Sequence, residues 1–161
     1  MVLSGSNGCG KSSIIKKILG LDINTTGELT LASGLKISYV SQDTSHLKGT
    51  LKDFAEENQI DMTLFKSMLR KLDFERTQFE KNMENFSAGQ KKKVLLAKSL
   101  CDSAHIYIWD EPLNYIDLFS RLQIEDLVLE FKPTMLFVEH DKAFVDEVST
   151  KVVEIKRRFS E

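Results

Sequence analysis

The stretch Gly-Ser-Asn-Gly-Cys-Gly-Lys-Ser at residues 5–12 decides the fold, because it lies between a predicted strand and a predicted helix. Residues 1–4 are predicted as a short buried strand, and apolar spacing predicts a helix over residues 11–19. Glycines in such a loop let backbone N–H groups turn inward, where they add to the positive end of the helix dipole. The pattern Gly-x-x-x-x-Gly-Lys-Ser in this context therefore predicts a Walker A loop, which holds phosphate.

Lys11 and Ser12 carry the chemistry expected of this loop. The Lys11 ammonium neutralises charge on the β- and γ-phosphates of a nucleotide, and the Ser12 hydroxyl is a ligand for Mg²⁺. The alternative is a glycine-rich turn with a solvated lysine, which the flanking strand and helix disfavour. The residues predicted to contact the nucleotide from this loop are Ser6, Asn7, Gly8, Cys9, Gly10, Lys11, Ser12 and Ser13.

An apolar run at residues 106–109 ends in two acids, Asp110 and Glu111. In an open α/β sheet, ligands bind at the carboxyl ends of the strands. We therefore expect Asp110 to hold Mg²⁺ through water, and Glu111 to orient or deprotonate an attacking water. An isolated acidic pair after a strand is more often part of a solvated loop, so this prediction depends on the phosphate loop.

Strands alternate with helices along the 161 residues, which predicts an α/β fold with a mostly parallel sheet flanked by helices. Two strands are predicted at residues 27–33 and 35–41, joined by a turn at Ser33 and Gly34. Residues 135–138 form a continuous apolar run, as expected of a central parallel strand. We interpret residues 1–161 as one P-loop NTPase domain.

Residues 50–81 hold no Gly or Pro and show apolar residues at helical spacing. They predict a small helical subdomain, at about residues 50–102, in which Asp61 caps a helix.

A basic helix is predicted to begin after Ser87, which forms a capping box with Gln90, and to run to about Cys101. Ser and Gly at a helix N-terminus also make an anion site. The lysines at residues 91–93 are interpreted as a solvated helix face, with contact to a nucleotide or RNA phosphate as the alternative.

The composition gives weaker constraints. A formal net charge of −2 provides no general attraction to nucleic acid. Two cysteines far apart in sequence argue against a disulfide framework and fit a reducing compartment, so we expect a cytoplasmic location. No apolar run approaches the roughly 20 residues that a membrane-spanning helix needs.

In their order along the chain, these motifs resemble those of an ABC-type ATPase domain, and the resemblance covers essentially the whole sequence. It implies ATP and Mg²⁺ as cofactors and a second ABC-type ATPase domain as partner. The residues that carry it are the loop at 5–12, Gln42, Ser87 to Gln90, Asp110 to Pro112, Asn114 to Asp117 and His140.

The resemblance also implies roles for residues that are uninformative when taken singly. Gln42 contacts Mg²⁺ and reports the γ-phosphate, and His140 contacts the γ-phosphate as a catalytic residue. Residues 113–117 cross the seam between two domains. The signature that binds the ATP of the opposing domain consists of Ser87, Ala88, Gly89 and Gln90.

Within that family, the stretch Asp-Glu-Pro-Leu-Asn-Tyr-Ile-Asp at residues 110–117 is similar to the ABC-F branch. Together with residues 86–94, it is most similar to the second ATPase domain of ABC-F proteins that protect ribosomes from antibiotics, of the Lsa and Vga type. The resemblance implies ATP hydrolysis and a ribosomal partner. Two alternatives stay open: the motor subunit of a transporter with a membrane partner on another chain, and an inactive fragment that serves as an interaction module.

Two departures from the family pattern affect these expectations. Ala88 replaces the usual second Gly of the signature. The sequence begins at the strand that enters the phosphate loop, so we expect the N-terminal antiparallel strand layer of the family to be truncated and the grip on adenine to be weak.

Overall fold

The computed structural model describes residues 1–156, in which five parallel strands form one sheet with helices on both faces. The order across the sheet is β2-β3-β4-β1-β5, so β4 is central. The strands are β1 (Val2–Ser4), β2 (Ile37–Val40), β3 (Ile106–Asp110), β4 (Met135–Val138) and β5 (Val152–Glu154). The helices are α1 (Lys11–Ile18), α2 (Leu51–Glu57), α3 (Met62–Lys71), α4 (Ala88–Cys101), α5 (Leu118–Phe131) and α6 (Lys142–Val148).

The α/β fold class with a mostly parallel sheet is confirmed, and its apolar side chains divide between the two faces of the sheet. Side chains alternate across a strand, so neighbours in β3 point to opposite faces. Ile108 packs on the same side as Ile15 of α1, whereas Trp109 packs on the opposite side with Val94 of α4 and Ile124 of α5. This arrangement fixes α1 and α4 on opposite sides of the strand that ends in Asp110.

Helices α2 and α3 lie where the sequence predicts a helical subdomain. The Asp61 side chain accepts a hydrogen bond from the Leu64 N–H at 2.8 Å, which confirms its role as the cap of α3. Phe65 and Leu69 of α3 are fully buried in the larger apolar cluster that also contains residues of α4. The boundary at 50–102 stays a prediction, as does the single domain over 1–161, whose last five residues lie outside the described part.

The strand predicted at residues 27–33 is wrong, since the structure has no strand there. Its alternating side chains Leu29 and Leu31 are 45% and 42% exposed. A strand is stable when a neighbour pairs with its backbone, and no described strand lies against this segment. Of the two strands predicted around Gly34, only the second forms, as β2.

None of the helices within residues 1–156 is long and apolar enough to span a bilayer.

A buried polar chain joins α4 to the sheet. The indole N–H of Trp109 donates to the Ser99 hydroxyl oxygen at 2.9 Å, and this oxygen lies 2.8 Å from that of Ser38. The Ser38 hydroxyl donates to Asp102 Oδ2 at 2.6 Å, and the same carboxylate oxygen accepts from Lys98 Nζ at 2.7 Å. Each buried polar atom therefore has a partner, which fixes the position of α4 on β2 and β3.

We expect Ser99→Ala to lower the free energy of unfolding by about 1–3 kcal/mol, because the Trp109 N–H would stay buried without its acceptor. Urea unfolding followed by circular dichroism measures this change. Ser67→Ala, at an exposed position of α3, is the matched control and should change the value by about 0.5 kcal/mol or less. Equal effects of the two substitutions would contradict the assigned role of the buried chain.

Candidate functional site

The loop between β1 and α1 places Lys11 and Ser12 at the first turn of the helix. Gly10 precedes this turn with φ 108°, a conformation that a residue with a Cβ rarely adopts. The Lys11 ammonium turns back over the loop and donates to the carbonyl oxygens of Gly5 at 2.7 Å and Ser6 at 3.2 Å. The first N–H groups of α1 have no partner within the helix, so this end of α1 favours an anion.

A cavity of about 490 Å³ opens at this loop. It brings together residues from four separate segments that the sequence predicts as site residues. Its lining consists of Asn7, Gly8, Gly10, Lys11, Ser12, Ser13, Gln42, Glu111 and His140. Of the other residues predicted in this site, Ser6 and Cys9 belong to the loop without lining the cavity, and Asp110 is buried beneath it.

Glu111 contacts side chains from its own loop and from two neighbouring loops. Gln42 Nε2 donates to Glu111 Oε2 at 2.6 Å, and Asn114 Nδ2 donates to the same oxygen. His140 Nε2 lies 3.6 Å from Glu111 Oε1. The backbone of Glu111 has φ 49°, a left-handed conformation that is unfavourable for most residues and recurs at functional sites. This carboxylate therefore has a fixed orientation at the wall of the cavity.

Asp110 is 4% exposed at the end of β3. Burial raises the pKa of its carboxyl, and the neighbouring charge of Glu111 raises that pKa further, whereas Lys92, the Ser12 hydroxyl and Lys11 act in the opposite direction. A further cation bound at this position would favour the ionised form of Asp110.

The chemistry of the predicted Mg²⁺ ligands fits that ion. Ser12, Gln42 and Asp110 supply hydroxyl, amide and carboxylate oxygens, which are the donors that Mg²⁺ prefers. Residues 1–156 contain no group of three or more His, Cys, Asp or Glu that holds a metal by itself. Magnesium in nucleotide sites takes most of its ligands from phosphate and water, so the set of protein oxygens is sufficient.

The interpretation of residues 91–93 as a solvated face is wrong for two of the three lysines. Lys92 is 1% exposed and Lys93 is 7% exposed. Lys93 Nζ lies 2.8 Å from Asp117 Oδ2, and Asp117 also caps α5 by accepting from the Ser120 N–H. Burial acts to raise the pKa of Asp117, but hydrogen bonds from Lys93 and Ser120 and the Lys93 charge outweigh it, so the pKa lies well below its usual range.

The predicted signature residues lie outside the cavity, at the start of α4. The capping box is confirmed: the Ser87 hydroxyl oxygen accepts from the Gln90 N–H at 3.2 Å, and Gln90 Oε1 accepts from the Ser87 N–H at 2.9 Å. A Cβ added to Gly89 would lie 2.4 Å from the carbonyl oxygen of Tyr115. The exposed start of α4 is therefore in direct backbone contact with the loop at residues 113–117.

Sequence reasoning missed Glu139, which joins two loops of the site. Its Oε1 accepts from the N–H groups of His140 at 2.7 Å and Asp141 at 3.2 Å, and its Oε2 accepts from the Leu113 N–H at 3.1 Å. The sequence did contain a signal for Glu139. It is an acid directly after the buried run of β4, which resembles the position of Asp110 at the end of β3.

Sequence reasoning also missed Arg121, on α5. Its Nε donates to the Ile116 carbonyl oxygen at 3.0 Å, and its Nη1 donates to Asp141 Oδ2 at 2.9 Å. Two side chains, Glu139 and Arg121, therefore connect residues 113–117 to the segment that follows β4.

A phosphate-binding loop at the carboxyl edge of a parallel sheet, beside a fixed carboxylate, defines a P-loop nucleotide-binding domain. The sequence model of the family described as "ABC transporter" matches residues 1–114. The chain belongs to this family, as one of its ATP-binding domains.

The relatives of the chain include ABC-F proteins. It is 31% identical over 159 residues to ATP-binding protein Uup of Buchnera aphidicola subsp. Acyrthosiphon pisum, an alignment that covers 94% of this chain and 27% of that protein. It is 26% identical to ABC transporter F family member 2 of Arabidopsis thaliana, over 97% of this chain and 24% of the relative. The chain thus spans about a quarter of the length of these relatives.

Solved structures share the fold. One similar chain comes from the crystal structure of the complex of archaeal ribosomal stalk protein aP1 and archaeal ribosome recycling factor aABCE1. The match has a TM-score of 0.78 and 25% identity, and it covers 96% of this chain and 31% of that chain.

We expect Asp117→Asn to lower the free energy of unfolding at pH 7 by about 1 kcal/mol, because Asp117 is half exposed and its ion pair with Lys93 is partly screened. Asparagine keeps the helix cap, so the lost charge causes the change. A carboxyl with a depressed pKa stabilises the fold above its unfolded pKa of about 3.9. The difference between wild type and variant should therefore shrink as the pH falls below about 4.

Urea unfolding between pH 7 and pH 3 measures this dependence. Asp61→Asn is the matched control, since Asp61 also caps a helix and belongs to none of the ion pairs found in the described residues. The assignment fails if both variants lose the same free energy at pH 7.

Proposed function

We propose that this domain binds ATP with Mg²⁺ and hydrolyses it, as one half of a paired ABC-F-type ATPase in the cytoplasm that acts on the ribosome. The proposal rests on one observation: the phosphate loop, Gln42, Glu111 and His140 line the same cavity. These residues lie in four segments far apart in sequence, and the fold brings them around one space.

Binding uses the phosphate loop and the start of α1. The backbone N–H groups there receive the phosphate oxygens, and the Lys11 ammonium exchanges its loop carbonyl partners for the β- and γ-phosphates. Ser12, Asp110 and Gln42 would hold Mg²⁺, which when bound would neutralise charge on the phosphates. The space over residues 5–13 therefore receives the triphosphate.

Hydrolysis uses the fixed carboxylate of Glu111. The carboxylate accepts a proton from the water that attacks the γ-phosphorus, while the bond from this phosphorus to the bridging oxygen breaks and ADP leaves. Its hydrogen bonds from Gln42 and Asn114 keep the carboxylate aimed at that water. His140, on the other side of the carboxylate, contacts the γ-phosphate. In this proposal Glu111 activates the water, and His140 beside it contacts the phosphate.

Pairing with a second ABC-type domain is supported by what lies outside the cavity. Ser87, Ala88, Gly89 and Gln90 are at the free end of α4, where they reach none of this chain's own cavity. Next to them is an exposed apolar surface formed by Tyr115, Leu118, Phe119 and Leu122. A second domain placed head to tail covers this surface and brings the two signature segments to the opposite nucleotides. ATP then closes the pair, and hydrolysis opens it, since the added contacts exist only in the closed state.

The ribosomal part of the proposal rests on the relatives, and the antibiotic-resistance part rests only on the resemblance of residues 86–94 and 110–117 to the Lsa and Vga type. The family names of similar proteins include the F family, and one similar structure is a complex of a ribosomal stalk protein with a ribosome recycling factor. The free thiols Cys9 and Cys101 are consistent with a reducing cytoplasm. In its most specific form, the proposal is that the protein protects ribosomes from antibiotics, as ABC-F proteins of the Lsa and Vga type do.

We expect Lys11→Ala to weaken ATP binding at least tenfold, since the phosphates lose their only buried ammonium in the loop. Isothermal titration with ATP and Mg²⁺ measures the change. Lys16→Ala, at an exposed position of the same helix, is the control and should bind like the wild type. Unchanged binding by Lys11→Ala would refute the phosphate site.

Glu111→Gln should keep ATP binding and lower turnover by about 10²–10⁴-fold, because the amide does not accept the proton of water. Turnover per chain should also rise with the concentration of the chain, since each complete site needs two domains. A turnover that is the same in Glu111→Gln and wild type would contradict the assigned base. A rate per chain that does not depend on concentration would contradict the shared site.

The ribosomal partner is tested by sedimentation. Glu111→Gln saturated with ATP should pellet with purified ribosomes through a sucrose cushion, because the closed state persists when hydrolysis is blocked. Lys11→Ala under the same conditions should stay in the supernatant. Equal amounts of the two variants in the pellet would contradict nucleotide-dependent binding to the ribosome.

A further inference from the structure

A lysine inside the protein, Lys92, lies between the signature helix and the nucleotide cavity. Its side chain extends from α4, is 1% exposed, and donates through Nζ to the Ser41 carbonyl oxygen at 2.8 Å. Ser41 directly precedes Gln42, whose amide holds Glu111. Lys92 therefore fixes the backbone from which Gln42 projects.

The cost of burying this charge argues that the lysine has a role beyond packing. A buried ammonium loses its hydration, and this loss lowers the pKa of Lys92. The charges of Asp110, Glu111 and Glu139 act against that effect. Within residues 1–156, none of the ion pairs closer than 4 Å includes Lys92. An apolar side chain of the same length would fill this position without the cost of desolvation.

Apart from the bond from Gln42 to Glu111, the hydrogen bonds found at residues 41–43 are to the loop itself, and the one from Lys92 comes from another element. Gln42 and Asp43 are exposed, and the Ser41 hydroxyl donates only to the nearby Asp43 carbonyl oxygen. The interaction between Gln42 and Glu111 joins an exposed side chain to a half-buried one that Asn114 also holds, so keeping Gln42 in place depends on its backbone. The buried hydrogen bond from α4 supplies that anchor.

We infer that Lys92 is a positioning residue for ATP hydrolysis, which acts through the Ser41 carbonyl to keep the Gln42 amide on Glu111. This inference rests on the proposed function. Lys92 lies in the second turn of α4, and in the proposed pair the first residues of this helix face the partner domain. Lys92 therefore also connects that end of α4 to Glu111, the base in this chain's own cavity.

Lys92→Met tests the inference, since methionine keeps an unbranched side chain and removes the charge. We expect turnover to fall at least tenfold and the dissociation constant for ATP to change less than twofold. Lys91→Met, one residue earlier on α4 and outside the buried core, is the matched control and should behave like the wild type. Wild-type turnover in Lys92→Met would overturn the inference, as would a lower urea midpoint with weaker ATP binding.

A double-mutant cycle asks whether Lys92 acts through Gln42. If it does, the loss of turnover from Gln42→Ala should be smaller when Lys92→Met is already present than in the wild-type background. Multiplicative effects of the two substitutions would overturn the inference. Lys92→Gln is made in parallel and is expected to lose less turnover than Lys92→Met, because it keeps a donor. Failure of both Lys92 variants to fold would assign Lys92 to stability and overturn the inference as well.

A second measurement needs no hydrolysis. The side-chain amide resonance of Gln42, assigned by its loss in Gln42→Ala, should exchange with water at least fivefold faster in Lys92→Met than in wild type. Lys91→Met should leave the exchange rate unchanged. An unchanged rate in Lys92→Met would overturn the inference. If the turnover of the wild type is no higher than that of Glu111→Gln, the proposed hydrolysis is overturned. The exchange measurement would still decide the role of Lys92 in that case.

Discussion

The parallel arrangement of the strands is the constraint on which the site depends. Parallel strands end at one edge of a sheet, so the loops that follow them converge. The register makes this convergence close: Val40 pairs with Trp109, and Asp110 pairs with Val138. Gln42 lies two residues beyond the end of β2, and His140 two residues beyond the end of β4, while Glu111 directly follows β3. Their side chains meet because each of them lies only one or two residues beyond a paired position at this edge.

The second constraint is the balance of charge at this edge. Asp110, Glu111 and Glu139 gather where the strands end, and carboxylates this close repel each other. Lys92 opposes that repulsion from inside the protein, and Lys11 opposes it from the loop. Both ammonium groups also hold backbone carbonyl oxygens, so they position loops as well as neutralise acids. The electrostatics and the geometry of the edge therefore depend on the same side chains.

Local pattern was sufficient for the phosphate loop, the caps at Asp61 and Ser87, and the order of strands and helices, because these features depend on residues near each other in sequence. Predictions from local sequence pattern were wrong where the structure depends on residues far apart in the sequence. Residues 27–33 alternate like a strand, but pairing requires a neighbour that sequence does not specify. A run of three lysines is typical of a solvated face, and only the packing of α4 against the sheet shows that two are buried. The convergence of Gln42, Glu111 and His140 was accessible only through the family resemblance.

Trp109 connects this architecture to an optical property. It is the only tryptophan in the chain, it is 1% exposed, and its indole N–H is hydrogen-bonded to Ser99 on α4. The next residue is Asp110, beneath the nucleotide cavity. The emission spectrum of an indole depends on the polarity and hydrogen bonding around it, so a shift of α4 relative to β3 changes the intrinsic fluorescence. The protein therefore contains its own spectroscopic reporter, without any attached dye, at the junction between the signature helix and the acidic strand.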